Sequence, residues 1–157
     1  MVDHVSASKR SDIMRSVRSR DTGPERIVRS AAHRLGLRFR LHAKDLPGKP
    51  DMTFPKWKTV LFVHGCYWHR HKNCPKATMP KSNVDFWTAK FSTNVARDNM
   101  HYRQLKRLGW RVLIFWQCEV GSRDAAEDLL RRRFPCVGFE ADQPSEQRRI
   151  CCGDGDA

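Results

Sequence analysis

The chain has 157 residues, enough for one domain with a real core and too few for two. Lys and Arg number 30 against 17 Asp and Glu, a formal charge of +13. That excess points to a polyanionic partner, because neutralising phosphates releases condensed counterions. No stretch reaches membrane-spanning length and no apolar segment marks a secretory leader. The expectation is therefore an intracellular protein, cytoplasmic and nucleoid-associated, with no membrane partner. In such a reducing compartment the six cysteines are thiols or metal ligands, not a disulfide frame.

Residues 1–20 read as a basic arm. Its second half carries Arg15, Arg18 and Arg20 beside Ile13, Met14 and Val17, which predicts a short helix with one apolar side. Thr22-Gly23-Pro24-Glu25 is a capping box with Pro at a tolerated early position. Ile27, Val28, Ala31, Ala32 and Leu35 then recur at helical spacing, and Gly36 closes the helix. Leu37, Phe39 and Leu41 alternate with Arg38, Arg40 and His42, the pattern of a half-exposed strand. A Pro/Gly loop spans 45–50, a short strand 51–54, and Pro55-Lys56 turns the chain into a buried strand over 59–63. After a histidine- and cysteine-rich segment and a loop over 75–83, residues 85–108 are helical. Trp87, Phe91, Val95, Tyr102 and Leu105 mark the inner face of that helix and Gly109 stops it. Trp110–Trp116 is an apolar strand and 123–134 a last amphipathic helix. From Gly138 periodicity is absent, which predicts a disordered tail over 138–157. A three-stranded meander, a long helix and a further central strand imply one α/β domain over 1–137, a central mixed β-sheet flanked by helices.

The chemistry concentrates in Phe62-Val-His-Gly-Cys-Tyr-Trp-His-Arg-His-Lys-Asn-Cys74. Cys66-x4-His71-x2-Cys74 supplies three ligands within nine residues, and Cys118, just past a later strand, completes a closed Cys3His set suited to structural Zn2+. His69 is an alternative to His71 in that set. Asp51 follows Pro50 at a strand edge, where a carboxylate holds Mg2+ or simply caps a turn. Glu25 is accounted for by the capping box. Asp98 lies on the inner face of the long helix and needs a partner, either His101 or Tyr102 nearby or a histidine or metal of the cluster. His64 and His69 are the acid–base candidates. Tyr67, Trp68, Phe86 and Trp87 offer aromatic faces whose ordinary fate is core packing and whose other use is wedging between base pairs.

Taken together, several segments resemble the very short patch repair (Vsr-type) DNA mismatch endonucleases. They are Met14-Arg15, Arg20-Asp21-Thr22, Leu46-Pro-Gly-Lys-Pro-Asp51, His64-Gly-Cys-Tyr-Trp-His69, Phe86-Trp87, Asn94-Val95-x-Arg97-Asp98 and Leu108-Gly-Trp-Arg-Val-Leu-Ile114, in family order. The resemblance implies a restriction-endonuclease-like fold and a nick 5′ of the thymine in T:G mismatches left by 5-methylcytosine deamination. It assigns Mg2+ to Asp51, catalytic roles to His64, His69, Asp98 and Glu25, and Zn2+ to Cys66, His71, Cys74 and Cys118. It assigns intercalation to Tyr67, Trp68 and Trp87. Tyr67 stands where phenylalanine is familiar in the family. Met14, Arg15 and Arg18 are the DNA contacts expected from the arm.

The implied mechanism has Asp51 hold Mg2+ against the scissile phosphate. His69 activates water with Asp98 or a neighbour orienting its imidazole, His64 assists at the phosphate, and Glu25 positions water at the metal. The expected enzyme is a monomer acting on double-stranded DNA, with mismatch-repair proteins as potential partners. Two rivals remain: a restriction-type endonuclease cutting matched DNA, and a catalytically silent, zinc-stapled DNA-binding protein.

Overall fold

The computed structural model describes residues 20–134 together with Lys9. Met14, Arg15 and Arg18, the short helix expected around them, the tail expected from Gly138, and Cys136, Cys151 and Cys152 lie outside the described residues.

Helix α1 (Gly23–Arg34) begins as its capping box dictates. Thr22 is extended and its Oγ1 accepts the Glu25 N–H at 3.5 Å, with Pro24 in the first turn. The Glu25 carboxylate reaches back to the Thr22 hydroxyl at 2.8 Å and the Asp21 N–H at 3.0 Å, so the box closes one residue earlier than the usual form. Gly36, in the left-handed region at φ +70°, turns the chain away at the other end.

Four strands follow the meander expected from the sequence. β1 (Arg40–Leu41) pairs antiparallel with β2 (Met52–Phe54), and β2 antiparallel with β3 (Thr59–His64). A 3-10 turn over Pro55–Trp57 links β2 to β3. Helix α2 (Val84–Arg107) then crosses over to β4 (Arg111–Trp116), which runs parallel to β3, and α3 (Arg123–Arg133) ends the described chain.

The structure corrects two expectations. The strand expected over 37–42 is only two residues long, because Leu37 is already buried in the core under the helices and Phe39 packs on Phe54. β4, expected to be central, is at the edge of the sheet in the order β1-β2-β3-β4 among the described residues. Its apolar content reflects cover on both faces. Leu113 and Phe115 join the core shared with α1 and α3, while Val112 packs with Leu105 of α2 on the other. The result is a helix–sheet–helix sandwich with alternate residues of β3 serving opposite layers: Leu61 faces α1 and α3, Val60 and Phe62 face α2. No helix among the described residues is long and apolar enough to cross a membrane.

Because β3 and β4 are parallel, their carboxyl ends leave the sheet together. His64 pairs with Trp116, and the Gln117 N–H extends the ladder to the His64 carbonyl at 2.9 Å. Loops of both strands therefore meet outside the same edge, where open α/β sheets build their sites.

Phe54 is the hub of the larger core, with ring centroids 5.8 Å from Phe39, 6.5 Å from Trp57 and 4.9 Å from Phe134. Phe54→Ala is expected to destabilise the fold by about 3–5 kcal/mol, the usual range for emptying such a site. In urea unfolding the midpoint should fall with the slope unchanged; an unaltered midpoint would mean that this layer does not hold the sheet.

Candidate active site

A cleft of about 960 Å³ opens between α1, the β3 end and α2. Glu25, Asp51, His64, His69 and Asp98 all line it, with Trp68 beside them and Arg20, Arg26, Lys49 and Arg97 around them.

Asp51 directly precedes β2, and its Oδ2 accepts the Val63 N–H at 2.7 Å where the β2 pairing has ended. Burial raises its pKa to about 6; the Val63 N–H works against that rise and the charge of Glu25 adds to it. Glu25 is only 4% exposed. Besides its capping bonds it accepts from Arg29 at 3.0 Å, so the capping role and a place in the cleft coexist. The Arg29 guanidinium also contacts Asp21 and donates to His42 Nε2 at 3.2 Å. The donor atoms of Asp21, Glu25 and His42 lie within 4.8 Å of one another, with the charge of Arg29 already among them.

His64 is 6% exposed at the end of β3. Its ring stacks on His69 with centroids 3.8 Å apart and planes 8° from parallel, and its Nε2 hydrogen-bonds the Tyr102 hydroxyl. Burial, then the neighbouring His69, lowers the His64 pKa to about 3, so the ring is neutral at ordinary pH. His69 Nδ1 lies 2.6 Å from Asp98 Oδ2. Burial alone would raise the Asp98 pKa, but the hydrogen bond and charge of His69 outweigh it and hold the carboxyl below its ordinary value. The partner of Asp98 is thus the cluster histidine and not His101 or Tyr102.

Beyond the cleft wall, the sulfurs of Cys66, Cys74 and Cys118 and a ring nitrogen of His71 lie within 4.8 Å of one another. Cys118 Sγ is 3.3 Å from His71 Nδ1, and all three cysteines are free thiols. The chain reaches this geometry through tight turns, with His71 N–H on the Cys66 carbonyl at 3.0 Å and Cys74 N–H on the His71 carbonyl at 3.3 Å. Left-handed backbone at Arg70 and Asn73 completes these turns. His71 lies flat on Trp116, centroids 4.2 Å apart. The sequence left His69 as an alternative ligand; here Asp98 engages His69 and His71 joins the thiols. Three thiols and one imidazole form the closed donor set that suits zinc.

Tyr67 and Trp68, half-buried on this loop, meet edge-on at 5.1 Å. Trp87, at the head of α2, is buried at 8% exposure behind them, 6.1 Å from Tyr67 and 6.2 Å from Trp68. Phe86, by contrast, is 58% exposed. Lys90 Nζ stands 5.8, 5.7 and 5.6 Å from the rings of Trp68, Phe86 and Trp87.

Sequence reasoning missed Arg29 and the His64–Tyr102 pair. Arg29 was findable, since it lies one helical turn after Glu25. The His64–Tyr102 contact spans 38 positions and has no local signature.

Comparison with known proteins gives this geometry a context. The family model for the DNA mismatch endonuclease Vsr matches residues 2–76. The chain is 49% identical over 131 residues to the type II nicking enzyme V.XorIIP of Xanthomonas oryzae pv. oryzae, covering 83% of this chain and 96% of that protein. It is 39% identical over 132 residues to the type II nicking enzyme V.NmeAIP of Neisseria meningitidis, 84% of this chain and 94% of the relative. It is 38% identical over 128 residues to the DNA mismatch endonuclease Vsr of Escherichia coli, 82% and 81% of the two chains. With 38–49% identity across 81–96% of the length of these relatives, the chain belongs to the Vsr family of DNA mismatch endonucleases.

Proposed function

We propose that the protein is a Mg2+-dependent endonuclease that nicks one strand of double-stranded DNA 5′ of the thymine in a T:G mismatch. The observation that carries this reading is the 2.6 Å His69–Asp98 contact in the same cleft as Asp51 and His64, with basic side chains around it.

Asp51, with a nearby backbone carbonyl, would hold the Mg2+. A carboxyl raised to about 6 by burial and by the charge of Glu25 fits that task, because a hard cation relieves both. Bound there, the ion supplies stabilisation of charge developing on the phosphate and on the leaving oxygen. His69, held at Nδ1 by Asp98, takes a proton from the attacking water as oxygen bonds to phosphorus. Neutral His64 meets the phosphate, and Glu25 orients water. The bond from phosphorus to the 3′ oxygen breaks, that oxygen gains a proton, and the products are a 3′-hydroxyl and a 5′-phosphate. Cys66, His71, Cys74 and Cys118 would hold a structural zinc that ties the aromatic loop to the end of β4. Tyr67 and Trp68 wedge beside the mismatch, with Trp87 buried behind them as their support. Met14, Arg15 and Arg18 contact the DNA from the N-terminal arm.

Asp51→Ala is expected to abolish Mg2+-dependent nicking while leaving mismatch binding largely intact, and His69→Ala to slow it by about 10²–10⁴. Near-normal nicking by Asp51→Ala in Mg2+ would refute the assignment, and tight mismatch binding by the wild type without any nicking would favour a silent binding protein.

Metal analysis of the purified protein should find about one zinc per chain, with Cys74→Ser or Cys118→Ser losing it and melting earlier, since structural zinc contributes folding energy directly. Folded, active protein free of zinc would sink the structural-zinc reading.

Unstacking costs about a few kcal/mol per step and less at a mispaired step, so a wedge turns that difference into selectivity. Trp68→Ala should therefore erode discrimination between T:G and matched duplexes, on a scale of about 1–3 kcal/mol, more than it lowers the melting temperature. A variant that cuts and binds with unchanged T:G preference argues against the wedge. Wild-type cutting of matched DNA at an equal rate indicates a restriction-type enzyme instead.

A further inference from the structure

The reaction outlined above uses His64 and gives Tyr102 no part. Yet the two stacked histidines are held in the same manner. α2 supplies Asp98 to His69 Nδ1 and, one helical turn later, Tyr102 to His64 Nε2. The Tyr102 ring is itself fixed by Phe62 of β3, centroids 5.4 Å apart, so its hydroxyl has a defined position.

A neutral imidazole carries one N–H, and the group met by the other nitrogen decides which. His64 is 6% exposed at the end of β3, and its Nε2 meets the hydroxyl of Tyr102. Between a phenol and an imidazole the phenol O–H is the better donor and the bare ring nitrogen the better acceptor. With Nε2 accepting, the proton must sit on Nδ1.

The geometry points to Tyr102 as a positioning residue whose hydroxyl donates to His64 Nε2. It thereby holds His64 as the Nδ1–H tautomer, a neutral donor oriented toward the substrate phosphate. The phosphate part rests on the role proposed above for His64; the tautomer part does not. The tyrosine acts through His64, and its methylene and ring serve only packing that a phenylalanine would reproduce.

The test uses the full chain and the variant Tyr102→Phe, alone and in a His64→Ala background. Long-range nitrogen–proton correlation spectra of the histidine rings read the tautomer without DNA. Single-turnover nicking of a T:G duplex, duplex affinity and thermal unfolding read the rest. The wild type is expected to show His64 as Nδ1–H, and Tyr102→Phe to shift it toward Nε2–H. The variant should nick about tenfold more slowly, the loss of one oriented hydrogen bond, with affinity and melting temperature unchanged. In the His64→Ala background the same change should have no further effect.

An Nε2–H pattern in the wild type, or a tautomer indifferent to Tyr102→Phe, overturns the proposal. So does an unchanged nicking rate, or an equal loss in both backgrounds, which would make the residue's role independent of His64. A parallel fall in melting temperature and rate would reduce Tyr102 to packing. A wild type that shows the Nδ1–H pattern but does not nick the T:G duplex would refute the functional reading and leave the hydrogen bond standing.

Discussion

The parallel pairing of β3 with β4 is the constraint on which the rest of the site depends. Six register pairs, from Thr59 with Arg111 to His64 with Trp116, bring the two strands to an end at the same level. The loop that leaves β3 and the turn that leaves β4 are then neighbours, which is how Cys118 reaches His71 although they lie 47 positions apart. Parallel strands also require a crossover, and here the crossover is α2. That helix covers the sheet face onto which Phe62 and His64 alternate, and so it delivers Asp98 and Tyr102 to the two histidines. One topological choice thus assembles the thiol–imidazole cluster and the histidine stack together.

Charge is arranged against folding stability in the cleft. Asp51 is held where burial and Glu25 both oppose its ionised form, and the principal local compensation is a single backbone N–H. Glu25 is treated differently, with two capping bonds and Arg29 to satisfy it. Two carboxylates in one cleft therefore have opposed environments, one well satisfied and one not. Local conflict of this kind marks sites where function outweighs stability. Around them, Arg20, Arg26, Lys49 and Arg97 continue the surplus of a +13 chain, a field that draws a phosphate backbone toward acids that would otherwise repel it.

The meander, the long helix and its stop at Gly109, and the capping box were legible because each is written in local spacing. β1 was not: alternation over 37–42 cannot reveal that Leu37 and Phe39 are claimed by the helical layer before pairing begins. The apolar content of β4 suggested a central strand, but helices on both faces make the same demand as neighbouring strands do. For the candidate site, the residue types were visible and the partnerships were not. Asp98 had equally good local partners in His101 and Tyr102, and only the fold gives it to His69 and gives Tyr102 to His64. The choice of His71 over His69 as the fourth cluster member follows from that same contact.

Exposure also reorders the aromatic residues. Phe86 and Trp87 are adjacent, yet helical geometry turns one outward and the other into the ring cluster with Tyr67, Trp68 and Phe91. Trp87 could enter DNA only if the head of α2 moved and those ring contacts broke, whereas Tyr67 and Trp68 already sit partly open on their loop. A wedge gains most when it is rigid before it binds, since ordering a loop on association subtracts from affinity. The turns through Gly65, Cys66 and His71 fix this loop from one side and the Trp87–Phe91 rings brace it from the other. Lys90, within cation–π range of three rings, adds about 0.5–1 kcal/mol of the kind found at exposed sites while keeping a positive charge beside the proposed wedge. Lys90 is exposed while its ammonium stands by the rings, so the side chain that steadies the loop keeps its charge toward solvent.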